Sequence, residues 1–237
     1  RRPPRSTLFP YTTLFRTVAD AMAVRFSRIQ FTPDLMPADV TGVALYRDPV
    51  RGFEFQPGPV FTDLLLADEI NRAPAKTQAA LLEAMAERQV TADGVAHPLS
   101  DLFMVLATQN PVEHEGTFPL PEAQLVRFLL KILIDYPALD AELAMLGLHE
   151  SGFDPERGGA TRIVDAVLTA DEARGCRALV DAVHVAPEVR EYIASITRAT
   201  RQDSALVLGA SPRASVALQR AARAGAFDRR RATRTRA

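Results

Sequence analysis

The spacing of apolar positions changes character part-way along the chain. Val18, Ala19 and Met22 share one face over residues 17–24, which reads as the end of a helix. Arg25–Phe31 alternates apolar and polar residues and predicts a strand. Residues 32–44, broken by Pro and Gly, predict a loop. Leu45–Tyr46 and Phe53–Phe55 flank a turn at Asp48–Gly52, a hairpin pattern. Leu64–Ala67 is a short continuous apolar run, as expected of a parallel strand buried on both faces. Pro74 suits the first turn of a helix whose stripe is Leu81, Leu82 and Met85. Gln89–Leu99 predicts a second hairpin around Asp93-Gly94, a strong two-residue turn signal. Leu102–Ala107 predicts another buried strand, Pro121 a helix reaching about Phe128, and Leu129–Ile134 a further apolar strand.

Beyond Pro137 only helical patterns remain. Asp140–His149 is one, and residues 151–160 form a Gly-rich, charged linker. Thr169 to Glu172 is a capping box that starts the next helix. Pro187 opens a helix to about Arg201, and Ser211-Pro212 opens the last. The order predicts an α/β core followed by an all-helical unit.

The ends differ from this body. RRPPRSTLFPYTTLFR, residues 1–16, shows no periodicity and resembles translated sequencing-adapter DNA, so it reads as non-native or disordered. The string DRRRATRTRA at 228–237 reads as a frameshifted or disordered tail. Residues 1–16 carry four arginines and no acid, and 228–237 carries five arginines against Asp228. Two ends of +4 within a total of −1 leave −9 for residues 17–227. An acidic body is a poor match for a phosphate backbone, which argues against a nucleic-acid motor. The single cysteine, Cys176, excludes an internal disulfide. His97, His114, His149 and His184 lack metal-ligand spacing. No apolar run approaches the ~20 residues of a membrane span, and a cytoplasmic protein is expected.

The strongest chemical signal is Leu64-Leu65-Leu66-Ala67-Asp68-Glu69, an apolar strand ending in two acids. Ligands bind at the C-terminal edge of parallel sheets. There an acid can hold Mg²⁺ and a neighbouring glutamate can orient and deprotonate an attacking water. On its own, the pair is weak evidence and reads rather as a solvated strand end. The blocks LLLADEINRAPAKTQAALLEAM, VLATQNPVEHEGTFPLPEAQL, RFSRIQFTPDLMPADVTG and GASPRASVALQRAARAGA resemble MoxR-type AAA+ ATPases, in that family's order, over residues 16–227.

The resemblance implies a P-loop NTPase core of the AAA+ type at 17–137 and a helical lid at 138–227. It implies ATP and Mg²⁺ as cofactors, with Asp68 on the metal through water and Glu69 as the catalytic carboxylate. Asn110 matches sensor 1, Arg127 the arginine finger supplied to a neighbouring subunit, and Arg213 sensor 2. Val126 stands where the family usually has an acid before the finger. Asn71 and Arg72 follow the acids in the family pattern, which implies coupling of nucleotide state to a neighbour. The hairpins at 45–61 and 89–99 resemble the family's client- or pore-facing inserts. A ring homo-oligomer, a hexamer, is implied, with a client protein such as a von Willebrand factor A-domain protein. One element is missing: no G-x-x-x-x-G-K-[ST] string occurs in the 237 residues. The strand that precedes it in the AAA+ sheet is missing too. The chain as written is therefore expected to be inactive in hydrolysis. The alternative is a non-catalytic interaction fragment or degenerate paralogue.

Overall fold

The computed structural model describes residues 11–48, 52–110, 117–134, 136–151 and 164–229. The expectations for residues 1–10, for most of the linker at 151–160 and for 230–237 lie outside them. Two compact units are present, residues 1–120 with 131–170, and residues 121–130 with 171–237.

In the first unit, helix α1 (Tyr11–Ala21) leads into strand β1 (Phe26–Gln30). The helix thus begins earlier than the apolar pattern suggested, within the string expected to lack structure. Residues 32–44 are not all loop, because helix α2 spans Pro37–Thr41. Proline suits a first helical position, and the Asp39 carboxylate accepts the Met36 N–H at 2.8 Å. Strands β2 (Gly42–Asp48) and β3 (Gly52–Pro57) form the first hairpin. Strand β4 (Leu64–Asp68) follows, then a 3-10 turn (Ile70–Arg72) and helix α3 (Ala75–Glu87). Strands β5 (Gln89–Ala92) and β6 (Val95–Pro98) form the second hairpin. Asp93 and Gly94 both take positive φ, 49° and 77°, as a primed two-residue turn requires.

Strand β7 (Met104–Ala107) completes a parallel sheet of order β1-β4-β7. The central strand explains its own sequence: Leu64, Leu65, Leu66 and Ala67 are all buried, so neither face tolerates a polar residue. Leu81, Leu82 and Ala84 of α3 and Phe31 complete the core around it. The register places Gln30 opposite Asp68 and Ala107 opposite Ala67. At the other sheet end, Arg25 donates from its backbone N–H and guanidinium to Asp63 at 2.9–3.3 Å. Burial works to raise the Asp63 carboxyl, but hydrogen bonds from Arg25 and Ser100 outweigh it and hold the group below the usual carboxylate range.

The expected strand at Leu129–Ile134 is not formed. Its apolar side chains are exposed, Ile132 and Leu133 by 77% and 78%. A parallel strand has no local hydrogen bonds to sustain it and exists only against a neighbour. Among the described residues the sheet ends at β7, whose Met104 is half exposed. Helix α5 (Leu139–Glu150) follows in this unit.

The second unit is helical. Helix α4 is a single turn, Glu122–Leu125, and stops short of the expected Phe128. Helices α6 (Ala170–Asp181), α7 (Pro187–Gln202) and α8 (Pro212–Asp228) follow the capping and proline signals closely. Helices α7 and α8 are joined by a hydrogen bond between the Thr197 and Ser215 hydroxyls at 2.9 Å, and the Arg201 Nε–H donates to the Ala210 carbonyl at 2.7 Å.

Candidate active site

Asp68 is the last residue of β4 and Glu69 the first beyond it. Glu69 takes left-handed backbone angles, φ 55° and ψ 47°. A non-glycine residue there costs roughly 1–2 kcal/mol and persists only when its surroundings impose it. Thr108 imposes it. Its hydroxyl accepts the Glu69 N–H at 2.8 Å, its carbonyl accepts the Ile70 N–H at 3.0 Å, and its hydroxyl donates to Asp68 Oδ1 at 2.6 Å. One residue at the end of β7 thus fixes both acids and the bend between them.

Asp68 Oδ2 and Glu69 Oε2 face cationic and amide donors. Arg28 donates to Asp68 Oδ2 from Nη2 at 2.5 Å and from Nε at 3.2 Å. Arg72 donates to Glu69 Oε2 at 3.0 Å, and the Gln30 amide donates to the same oxygen at 3.3 Å. Arg28 and Gln30 are alternate residues of β1, so they leave the strand on one face. Neither stood out in the sequence. The alternation in Phe26–Gln30 groups the two, but only the β1–β4 register brings them to the acids.

Asn110 lies two residues beyond Thr108. Its carbonyl accepts the Asn71 amide at 3.2 Å, and the Phe118 N–H donates to the Asn71 carbonyl at 2.6 Å. Buried Gln78 of α3 donates to the carbonyls of Ile70, Ala73 and Phe118 at 3.1, 3.0 and 2.8 Å. Both ends of the segment between Asn110 and Phe118 are therefore tied to the turn that follows the acids. Asp68, Glu69 and Asn110 all lie in the first unit, and Asn110 is tied through its carbonyl to Asn71, two residues beyond Glu69. Arg127 and Arg213 belong to the second. Arg127 sits in the turn after α4, its N–H donating to the Gln124 carbonyl at 3.1 Å. Arg213 is the second residue of α8, exposed at the helix N-terminus where anions are favoured.

The oxygen-only donors Asp68 and Glu69 suit Mg²⁺, which takes one or two protein carboxylates and completes its shell with water and phosphate oxygens. Among the described residues no three His, Cys, Asp or Glu side chains converge as a self-sufficient metal cage. Asp68 and Glu69 would thus supply part of the shell of such a cation, with water and phosphate oxygens supplying the rest.

Residues 9–130 match the model of the ATPase family associated with various cellular activities (AAA). The chain is 42% identical over 229 residues to Chaperone MoxR1 of Mycobacterium tuberculosis, covering 93% of this chain and 59% of that protein. It is 31% identical to Protein MoxR of Paracoccus denitrificans, covering 91% of this chain and 68% of that one. The chain belongs to the MoxR-type AAA+ ATPases. It is also 46% identical over 216 residues to Uncharacterized protein YeaC of Bacillus subtilis, covering 91% of this chain and 66% of that protein. A crystal structure of a protein from Cytophaga hutchinsonii assigned as an ATPase superposes with a TM-score of 0.79 at 38% identity, covering 96% of this chain and 69% of that one. The chain therefore spans about three fifths to two thirds of the length of YeaC and MoxR1. The α/β AAA+ core and its helical companion agree with this MoxR-type assignment. No described helix is long and apolar enough to cross a membrane.

Proposed function

We propose that these residues are the hydrolytic half of a Mg²⁺-dependent ATPase site in a cytoplasmic MoxR-type ring that remodels or matures protein clients. The observation that carries the reading is the Asp68–Glu69 pair, fixed at the C-terminal end of a buried parallel strand by the Thr108 hydroxyl. Bound Mg²⁺ would neutralise charge on the phosphates. Asp68 would hold it, through water. Glu69 would accept a proton from the attacking water, a role typically worth ~10²–10⁴-fold in rate. Asn110 would orient that water. Arg213 would contact the γ-phosphate from its helix N-terminus, and Arg127 would reach a neighbouring subunit's nucleotide, where such an arginine is worth ~10³–10⁵-fold. The client is a protein, for which a von Willebrand factor A-domain protein is the family's pattern.

The sequence holds no glycine-rich G-K-[ST] string, so the purified 237-residue chain is expected to bind MgATP poorly and turn it over negligibly. Phosphate release measured on this chain, and on a longer natural form bearing such a loop, tests both statements. The longer form should hydrolyse ATP and lose that activity with Glu69→Gln while still binding nucleotide. Robust turnover by the 237-residue chain, abolished by Glu69→Gln, would overturn the expectation. A non-catalytic interaction role is the second reading. It is favoured by the engagement of both acids with arginines.

A further inference from the structure

Asp68 has little room for a cation as it stands. Each carboxylate oxygen offers about two acceptor directions. Oδ2 receives two guanidinium N–H groups from Arg28, and Oδ1 receives the Thr108 hydroxyl. Thr108 is a neutral donor and leaves Oδ1 one open direction. Arg28 is a full charge, and it fills Oδ2. A divalent cation approaching Asp68 meets a guanidinium already seated on the same carboxylate. Arg28 is able to leave, because its side chain is 39% exposed while that of Asp68 is 19% exposed. Its contact with Gln30 is a long one, from Nη2 to the side-chain oxygen Oε1 at 3.4 Å.

The placement is built into the sheet. Arg28 pairs in register with Leu66, two residues before Asp68. The side chain must therefore run along the sheet to reach the carboxylate, a span suited to a long stem with a forked head. An arginine aimed along a parallel strand at the acid on its neighbour differs from the usual surface pair, whose partners stand side by side.

We propose that Arg28 is a displaceable counter-ion of Asp68. It is seated on Oδ2 and competes with a divalent cation for the carboxylate, so it sets the affinity for that cation. This rests on the reading of Asp68 as the cation-holding acid. Arg28 is a positioning residue in this account, not a catalytic one.

Mn²⁺ alone is a suitable probe, because the free aquo ion is counted directly by electron paramagnetic resonance without any turnover. The 237-residue chain should be titrated at low ionic strength, where charge effects are least screened. Arg28→Gln should bind Mn²⁺ about three- to tenfold more tightly than the unaltered chain, the scale expected for removing one partly exposed charge beside the site. Arg28→Lys keeps the charge but loses the fork, and should fall between them. Asp68→Asn should abolish the binding, both as a single change and when combined with Arg28→Gln. Arg47→Gln, which removes an exposed arginine paired to Glu54 on the first hairpin, should change the affinity by less than about 1.5-fold. Unfolding midpoints measured without metal show that each variant is folded, and Arg28→Lys covers the case in which Arg28→Gln is not.

Unchanged Mn²⁺ affinity in Arg28→Gln, with binding still lost in Asp68→Asn, overturns the counter-ion role and leaves the Asp68 site standing. Binding that survives Asp68→Asn overturns the site reading and the counter-ion role with it. An equal gain from Arg47→Gln reduces the effect to net charge and also overturns the proposal. Absence of binding in every variant up to about 10 mM Mn²⁺, beyond even weak carboxylate sites, counts against it as well, since releasing Asp68 should expose a ligand.

Discussion

Gln78→Leu is the most informative single change in the first unit. Gln78 is buried on α3, and its two amide N–H groups are shared among the carbonyls of Ile70, Ala73 and Phe118 at 3.1, 3.0 and 2.8 Å. Leucine has nearly the same volume and a comparable helix propensity, so neither a cavity nor a helix effect should intrude. What is lost is donation to three carbonyls, those of Ile70 and Ala73 in buried contacts and that of Phe118 in a part-buried one. Leaving a buried acceptor without a partner costs about 1–3 kcal/mol each. The amide's own desolvation and the added apolar burial, ~1–2 kcal/mol, offset part of that. A net loss of about 2–4 kcal/mol follows, or roughly 1 M in urea midpoint at a slope of ~2–3 kcal/mol/M. The loss should also be local. Phe118 is held by Gln78 and by its own N–H to the Asn71 carbonyl at 2.6 Å, so its amide should lose hydrogen-exchange protection before the amides of β4 do. Gln78→Glu should be worse than leucine, because a carboxylate would face three carbonyl oxygens. A loss below about 0.5 kcal/mol, the range of an ordinary surface change, or unchanged exchange at residues 117–120, would refute the clamp.

Thr108→Val removes the donor to Asp68 Oδ1 and the acceptor of the Glu69 N–H. It should cost about 1.5–3 kcal/mol in urea unfolding, with Thr108→Ser recovering most of that loss. Asp63 has a folded-state pKa below its ordinary value, so its contribution is present above the unfolded pKa and lost as pH falls through the folded one. Unfolding midpoints measured from about pH 5 to pH 2 should therefore drop more steeply for the unaltered chain than for Asp63→Asn. The outer edge of β7 and the exposed run Leu129–Ile134 should drive self-association. Sedimentation should show mass rising with concentration, reduced when Ile132 and Leu133 are changed to lysine. A sharply melting monomer at every concentration would count against it.

The fold was legible wherever the cause is local. The Asp93-Gly94 turn needs only two positive φ angles, which Asp and Gly tolerate. The helix starts at Pro187 and Pro212 need only a fixed φ and a dispensable N–H. The run Leu64–Ala67 read as a doubly buried strand because no polar residue interrupts it. The acids at its end were legible for the same reason. Asn110 needed the family pattern to single it out. Helix α2 was missed because Pro33, Pro37 and Gly42 look like a loop when Pro37 is in fact a helix start. Arg28, Gln30, Thr108 and Gln78 were not legible at all. Each acts across about forty residues of sequence or against backbone carbonyls, and strand register, which no local pattern specifies, decides the contact.

The one predicted strand that failed shows why local pattern is not enough. Leu129–Ile134 is, Lys131 aside, as aliphatic as Leu64–Ala67, yet one run is exposed and the other buried. The difference is what lies beside them. Strand β4 has ladders on both sides, to β1 and to β7, whereas the sheet stops at the outer edge of β7 among the described residues. In the family pattern the strand that leads to the phosphate-binding loop is central in this sheet, and this sequence holds no G-x-x-x-x-G-K-[ST] string. A central strand beside β7 would give Leu129–Ile134 a route into the sheet and a phosphate loop a place to start. The acids are already held without it, by Thr108, Arg28, Gln30 and Arg72. Restoring the strand and loop in a longer form should therefore bury Ile132 and Leu133 and confer ATP binding together. A longer form that binds ATP while Ile132 stays open to solvent labelling would break the link.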